Sequence, residues 1–166
     1  MVNYPKGFTL IELLITMSVI MMLVSLTAVS YRNFNERAKL ESESKLLVST
    51  VNLSKKKILA GEVPPTCTNL TLYRLSKLSD TSYRLSAVCL GVTPTPSLFP
   101  IFDHTVLSPL KIESFNADIN FKPFGQGIDA AQCIILKHTK TLRCKKVTVE
   151  VSGNVESADE MDCACP

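Results

Sequence analysis

No charged residue interrupts the stretch from Leu13 to Val29, and no proline falls between positions 8 and 60. The first absence excludes an ordinary surface helix there, which needs a polar face. The second leaves no residue that would break or kink a long helix. Cysteine is missing from the first 60 positions, although the chain has six. No nucleophile elbow, phosphate-binding glycine loop, HExxH pair or paired catalytic carboxylate signature occurs, so the sequence reads as non-enzymatic. There is no CxxC pair and the two histidines, His104 and His138, stand apart, so no metal or cofactor is assigned. Net charge is only +3, which singles out no partner by long-range electrostatics.

What is present begins with Lys6-Gly7-Phe8-Thr9-Leu10-Ile11-Glu12-Leu13-Leu14. A secretory signal places its cleavage site after the apolar run, whereas here the candidate bond, Gly7-Phe8, precedes it. Cleavage there leaves the apolar segment on the mature chain. With Phe8 to Ile11, the run to Val29 reaches the roughly 20 residues that cross a bilayer, so residues 8–29 are expected to span a membrane. Glu12 is the anomaly, because a carboxylate inside a bilayer helix costs on the order of 2.5 kcal/mol or more. Its expected partner is the α-amino group that cleavage frees on Phe8, one helical turn away at about 6 Å along the axis. That pair can form within one chain or between neighbours. Lys6 and the chain's amino terminus favour a cytoplasmic leader, with the rest outside.

The segment from Lys6 to Leu14 resembles the cleavage and methylation motif of type IV pilins and type II secretion pseudopilins. The resemblance implies a leader, residues 1–7, removed after Gly7 by prepilin peptidase, and methylation of the new first residue, Phe8. It also implies that Glu12 neutralises the N-terminus of an adjacent subunit and sets axial register during assembly. The implied location is the bacterial inner membrane, single-pass, with the head on the periplasmic or extracellular side. Many members carry a proline midway along this helix, which this chain lacks.

From Tyr31 the chain turns polar yet keeps Phe34, Leu40, Leu47, Val51 and Ile58 at helical spacing, which predicts an amphipathic continuation over residues 30–61. Glu41 and Lys45 add an ion pair in the favourable order. Lys55, Lys56 and Lys57 suit the C-terminal end of the helix dipole and read as a solvated helix end. Gly61 and Pro64-Pro65 supply the stop. The helix is expected to run about 50 residues, or roughly 75 to 80 Å.

Beyond it, residues 62–166 suffice for one modest core. Leu70–Leu75 and Tyr83–Val88 predict a hairpin around Ser79-Asp80-Thr81-Ser82, and prolines 94, 96, 100 and 109 predict a surface loop or irregular edge. A strand is expected from Asp118 to Phe121, broken by Pro123, Gly125 and Gly127. A last hairpin is expected from Cys133–Lys137 and Arg143–Val151, with its turn near His138 to Thr141. Residues 155–166 read as an acidic tail without calcium-ligand spacing. The fold class is therefore α+β: a long N-terminal membrane-spanning helix packed against a small antiparallel β-sheet head, type IV pilin-like.

Two phrases of the head, Ile119-Asn120-Phe121-Lys122-Pro123-Phe124-Gly125 and Val149-Glu150-Val151-Ser152-Gly153-Asn154-Val155, resemble the closing part of H-type minor pseudopilins and related minor pilins, with the second glycine one place early. Six cysteines agree with an oxidising compartment. Proximity points to Cys67 with Cys89 at the first hairpin, and Cys133 with Cys144 across the last one. Cys163 and Cys165 are too close for an easy mutual bridge. Lys137, Lys140, Arg143, Lys145 and Lys146 cluster on the last hairpin, and cations so gathered can neutralise phosphates. Edge protection by lysine explains the same residues.

The reading is thus a minor pilin or pseudopilin of a type II secretion pseudopilus or type IV pilus. Its expected partners are prepilin peptidase, other pilin or pseudopilin subunits, the membrane, and secreted cargo or DNA. The alternatives are a DNA-binding minor pilin of an uptake machine and a membrane-anchored extracellular binding module that never polymerises.

Overall fold

The computed structural model describes residues 7–65, 67–90, 97–160 and 163–165, without the side chains of 26–30, 32, 33 and 160. The chain divides into two compact units, residues 1–38 and 39–166. One helix, α1 (Leu10–Leu59), supplies the described part of the first unit and opens the second. Nine strands follow: β1 (Asn69–Ser79), β2 (Ser82–Leu90), β3 (Ser97–Thr105), β4 (Leu110–Phe115), β5 (Ile119–Lys122), β6 (Gly127–Ile128), β7 (Gln132–His138), β8 (Cys144–Val149) and β9 (Val155–Glu160). The fold is α+β.

The helix begins and ends on local chemistry. Thr9 caps its start, with its hydroxyl accepting from the Glu12 amide at 3.3 Å and its carbonyl from the Leu13 amide at 3.2 Å. At the far end Gly61 takes a left-handed φ of 62°. The Gly61 amide then donates to Ile58 (3.2 Å) and the Glu62 amide to Lys57 (3.0 Å), a Schellman closure that satisfies two otherwise orphan carbonyls. The lysine run lies at this end, and Lys57 bonds Glu62.

In the second unit the apolar stripe is buried from Leu40 onward, through Leu47, Val51 and Ile58. Each such side chain contributes about 1.5 to 3 kcal/mol by leaving water. Phe34, on the same period, is exposed, so burial starts later than the spacing alone predicts. Among the described residues no helix is long and apolar enough to cross a membrane.

Two antiparallel sheets close on the buried stripe, with strand orders β3-β2-β1-β5-β6 and β4-β7-β8-β9. Alternation decides what faces inward. Tyr73 and Leu75 of β1, Tyr83, Leu85 and Ala87 of β2, Ile134 and Leu136 of β7, and Val147 and Val149 of β8 join the helix residues in one core. The β1–β2 hairpin turns at Asp80-Thr81, with Ser79 opposite Ser82. The proline-rich region becomes edge strand β3 from Ser97, with Pro100 opposite Ser86. Pro94 and Pro96 lie outside the described residues. An edge tolerates proline because one row of its backbone groups needs no partner strand.

Buried polar groups tie the sheets to the helix. Glu43, 4% exposed, meets His104 Nε2 at 2.8 Å and accepts from the Leu107 amide at 3.3 Å, fixing β3 and the turn after it. Beside them, burial pushes the Tyr83 hydroxyl up to about 12. On the other sheet Lys145 reaches Glu41 of α1 and lies 3.4 Å from Asp159 of β9. The Lys145 hydrogen bond holds Glu41 below the ordinary carboxylate value. Burial works against the Lys145 ammonium, yet its bond to Glu41 and the Asp159 charge together hold it above the ordinary lysine value.

Gly127 has a φ of 72°, and a Cβ there would stand 1.9 Å from the Val151 carbonyl oxygen, which accepts from the Ile128 amide at 2.9 Å. Backbone cannot yield as a side-chain tip can. Gly127→Ala is therefore expected to cost about 3 kcal/mol or more in thermal or denaturant unfolding. Gly125→Ala, with only a Leu59 methyl at 4.0 Å, should cost about 1 to 2 kcal/mol for its left-handed φ alone. Equal losses would contradict the close approach at Gly127. For the Lys145 pair, a depressed Glu41 pKa means stability present above the ordinary carboxylate value of 4.5 and lost as pH falls through the lower folded value. Stability should thus fall more steeply between about pH 5 and 3 in the unaltered protein than in Lys145→Met, where the acid limb flattens.

Candidate functional site

The N-terminal segment carries the first set of expected site residues. Residues 1–6 of the expected leader lie outside the described residues. Gly7, Phe8 and Thr9 precede the helix in irregular backbone, with nothing within 4 Å of the position a Gly7 Cβ would take. Phe8 is 82% exposed, so the Gly7-Phe8 bond is open to an enzyme.

Thr9 and Glu12 stand at the positions of a capping box, threonine at the cap and glutamate three residues on. Sequence reasoning assigned Thr9 no role, although the T-x-x-E spacing before an apolar run is a readable signal. Its cap fixes where the helix starts and so how far Glu12 stands from Phe8. Glu12 itself is exposed.

Around that carboxylate the helix is apolar on every side. Leu10, Ile11, Leu13, Leu14, Met17, Ile20, Met21 and Val24 are all exposed in the single chain. A helix apolar all round requires burial in a larger core or a membrane. Its hydroxyls already suit such surroundings: Thr16, Ser18 and Ser25 donate to the carbonyls of Leu13, Ile15 and Met22 at 3.0, 2.8 and 2.8 Å. Internal satisfaction of this kind is what a low-dielectric environment demands.

The cysteines form three disulfides, Cys67–Cys89, Cys133–Cys165 and Cys144–Cys163. The first closes the open end of the β1–β2 hairpin, where Leu70 lies opposite Cys89. The expected bridge between Cys133 and Cys144 is not made. Register explains this, since Cys133 faces Thr148 and Cys144 faces Lys137, which places the two cysteines four positions apart along the ladder. The turn lies further along the chain than a Cys133–Cys144 pairing requires, and His138 organises it there. The His138 ring Nδ1 accepts from the Lys140 and Thr141 amides at 3.3 and 3.1 Å, and the His138 amide donates to Arg143 at 2.8 Å. Cys163 and Cys165 then reach the two separated partners, so the expected acidic tail is instead a pinned segment that includes strand β9.

The basic residues of the last hairpin do not form one surface. Lys137 lies 3.0 Å from Glu113, and Lys140 and Arg143 are exposed at the turn. Lys145, 8% exposed, faces the helix and is engaged by Glu41 and Asp159, which removes it from the expected phosphate-contact set. Lys146 takes the opposite face by strand alternation. Burial of Lys145 had a sequence signal, for it shares its face with Val147 and Val149.

Among the described residues no group of acidic, histidine or cysteine side chains could hold a metal ion. No curated protein and no solved structure matches the chain. Residues 3–28 match the family model described as the Prokaryotic N-terminal methylation motif. The N-terminal segment thus carries a prepilin-type methylation motif, which marks a pilin-like protein processed by prepilin peptidase.

Proposed function

We propose that this protein is a structural minor subunit of a type II secretion pseudopilus or type IV pilus. The observation that carries the reading is a helix apolar on all sides with a single carboxylate, Glu12, one turn after an exposed Gly7-Phe8 bond. Prepilin peptidase cuts that bond, and Phe8 becomes the methylated first residue. The helix is held in the inner membrane as a single span until assembly, when it moves into the filament core. Both settings exclude water, which accounts for an apolar surface that the chain alone leaves uncovered.

In this reading Glu12 is retained, despite its desolvation cost, because it meets the Phe8 amine of a neighbouring subunit. The pair is satisfied at one axial offset between helices, so it selects register as well as contributing energy. The head, held by its disulfides, faces outward and meets other subunits. Assembly, not catalysis, is the activity.

Glu12→Ala should leave cleavage after Gly7 intact, yet lower the amount recovered in sheared filaments about tenfold or more, equivalent to about 1.4 kcal/mol or more of lost contact. An anchored module that never polymerises would show no filament fraction before or after the substitution, and that result would contradict the reading.

A further inference from the structure

β9 is an edge strand whose own side chains hold it weakly. Of its described side chains Val155 alone is partly buried, while Glu156, Ser157, Ala158 and Asp159 are exposed. It therefore gains little from apolar burial. Noncovalent ties among the described residues include the ladder to β8, from Cys144 opposite Glu160 to Val149 opposite Val155, and polar contacts on either side of it. Asn154 Oδ1 accepts from Lys55 Nζ at 2.8 Å before the strand, and Asp159 lies 3.4 Å from Lys145 Nζ within it. A strand paired on one side with its side chains in water is marginal.

Two covalent bonds supply the rest. Cys163 and Cys165 are joined to Cys144 of β8 and Cys133 of β7, and with Ile135 they form a small cluster separate from the main core. The two bridges differ from the third in access. Cys163 and Cys165 are half-buried, whereas Cys67 and Cys89 are both buried, at 8% and 2% exposure. Thiol–disulfide exchange needs only one sulfur within reach of an attacking thiolate.

We propose that β9 with Cys163–Cys165 is a redox-gated strap: a dithiol reductant opens its two disulfides ahead of Cys67–Cys89, β9 leaves, and the edge of β8 is bared. In each opening a thiolate of the dithiol attacks the reachable sulfur and forms a mixed disulfide. Its second thiolate then displaces that cysteine, leaving two protein thiols and an oxidised dithiol. The reverse exchange with a disulfide donor closes the strap. Val147 and Val149 keep their inward packing in the open state, so the core persists while β8 presents unpaired backbone groups.

The test uses the full chain in detergent micelles, titrated with dithiothreitol and read by thiol alkylation with mass spectrometry and by amide hydrogen exchange. Cys133, Cys144, Cys163 and Cys165 should be alkylated at lower reductant than Cys67 and Cys89. Exchange should then rise about tenfold or more across residues 144–149 and 155–160 while the β1–β2 hairpin stays protected. The Cys163→Ser, Cys165→Ser double variant should show the same local exchange without reductant. Simultaneous alkylation of all six cysteines, continued protection of β9 once four thiols are free, or loss of protection in β1 and β2 in the double variant would each overturn the proposal.

Discussion

Burial of Leu40, Leu47, Val51 and Ile58 is the interaction on which the head depends, because both sheets close on that one helical stripe. Among the described residues neither sheet has another helix to cover its apolar face. A strand face with Tyr73 and Leu75, or with Val147 and Val149, would otherwise stand in water. The stripe alone does not fix position, since apolar contact is nondirectional. Direction comes from polar anchors at its margins, Glu43 with His104 for one sheet and Glu41 with Lys145 for the other. Glu43 is buried, so loss of His104 would leave its carboxylate desolvated, whereas Lys145 keeps Asp159 if Glu41 is lost; both contacts specify alignment even where their net energy is small.

The same helix carries two hydrophobic patterns. From Leu40 it is one-sided, which suits a surface element of a small domain. From Leu10 to Val24 apolar side chains lie on every side and Glu12 carries the one charge. Thr9 joins these facts to the processing motif, because its cap sets the first helical residue and hence the separation of Glu12 from the Phe8 nitrogen. A motif usually read as an enzyme's recognition sequence is thus also a helix start.

Legibility followed the range of the interactions. The cap-and-stop chemistry at Gly61, the burial of Leu47 and Val51, and the hairpins at Asp80-Thr81 and beyond His138 depend on residues close in sequence, and the sequence shows them. Strand β3 falls within the proline-rich region, where prolines argue against a strand, and the short alternation of β4, Leu110-Lys111-Ile112-Glu113, follows directly on Pro109 and carries no expectation of its own. Strand β9 was invisible to periodicity, since its residues are held by pairing and by bonds from Cys163 and Cys165 to distant strands. Cys133 does not meet Cys144 because the turn lies further along the chain, where His138 organises it through its own ring. The division of the basic cluster is legible, since strand alternation sets Lys145 and Lys146 on opposite faces, while the engagement of Lys145 by Glu41 of the helix is a long-range contact that spacing does not show.

In the proposed function, cleavage at Gly7-Phe8 creates the amine that Glu12 is kept to meet. Intact mass measurement of the protein extracted from membranes of cells with an active prepilin peptidase tests it most directly. The account predicts a chain that begins at Phe8 and carries one methyl group on its terminal nitrogen. A mass that retains Met1 to Gly7 would contradict it.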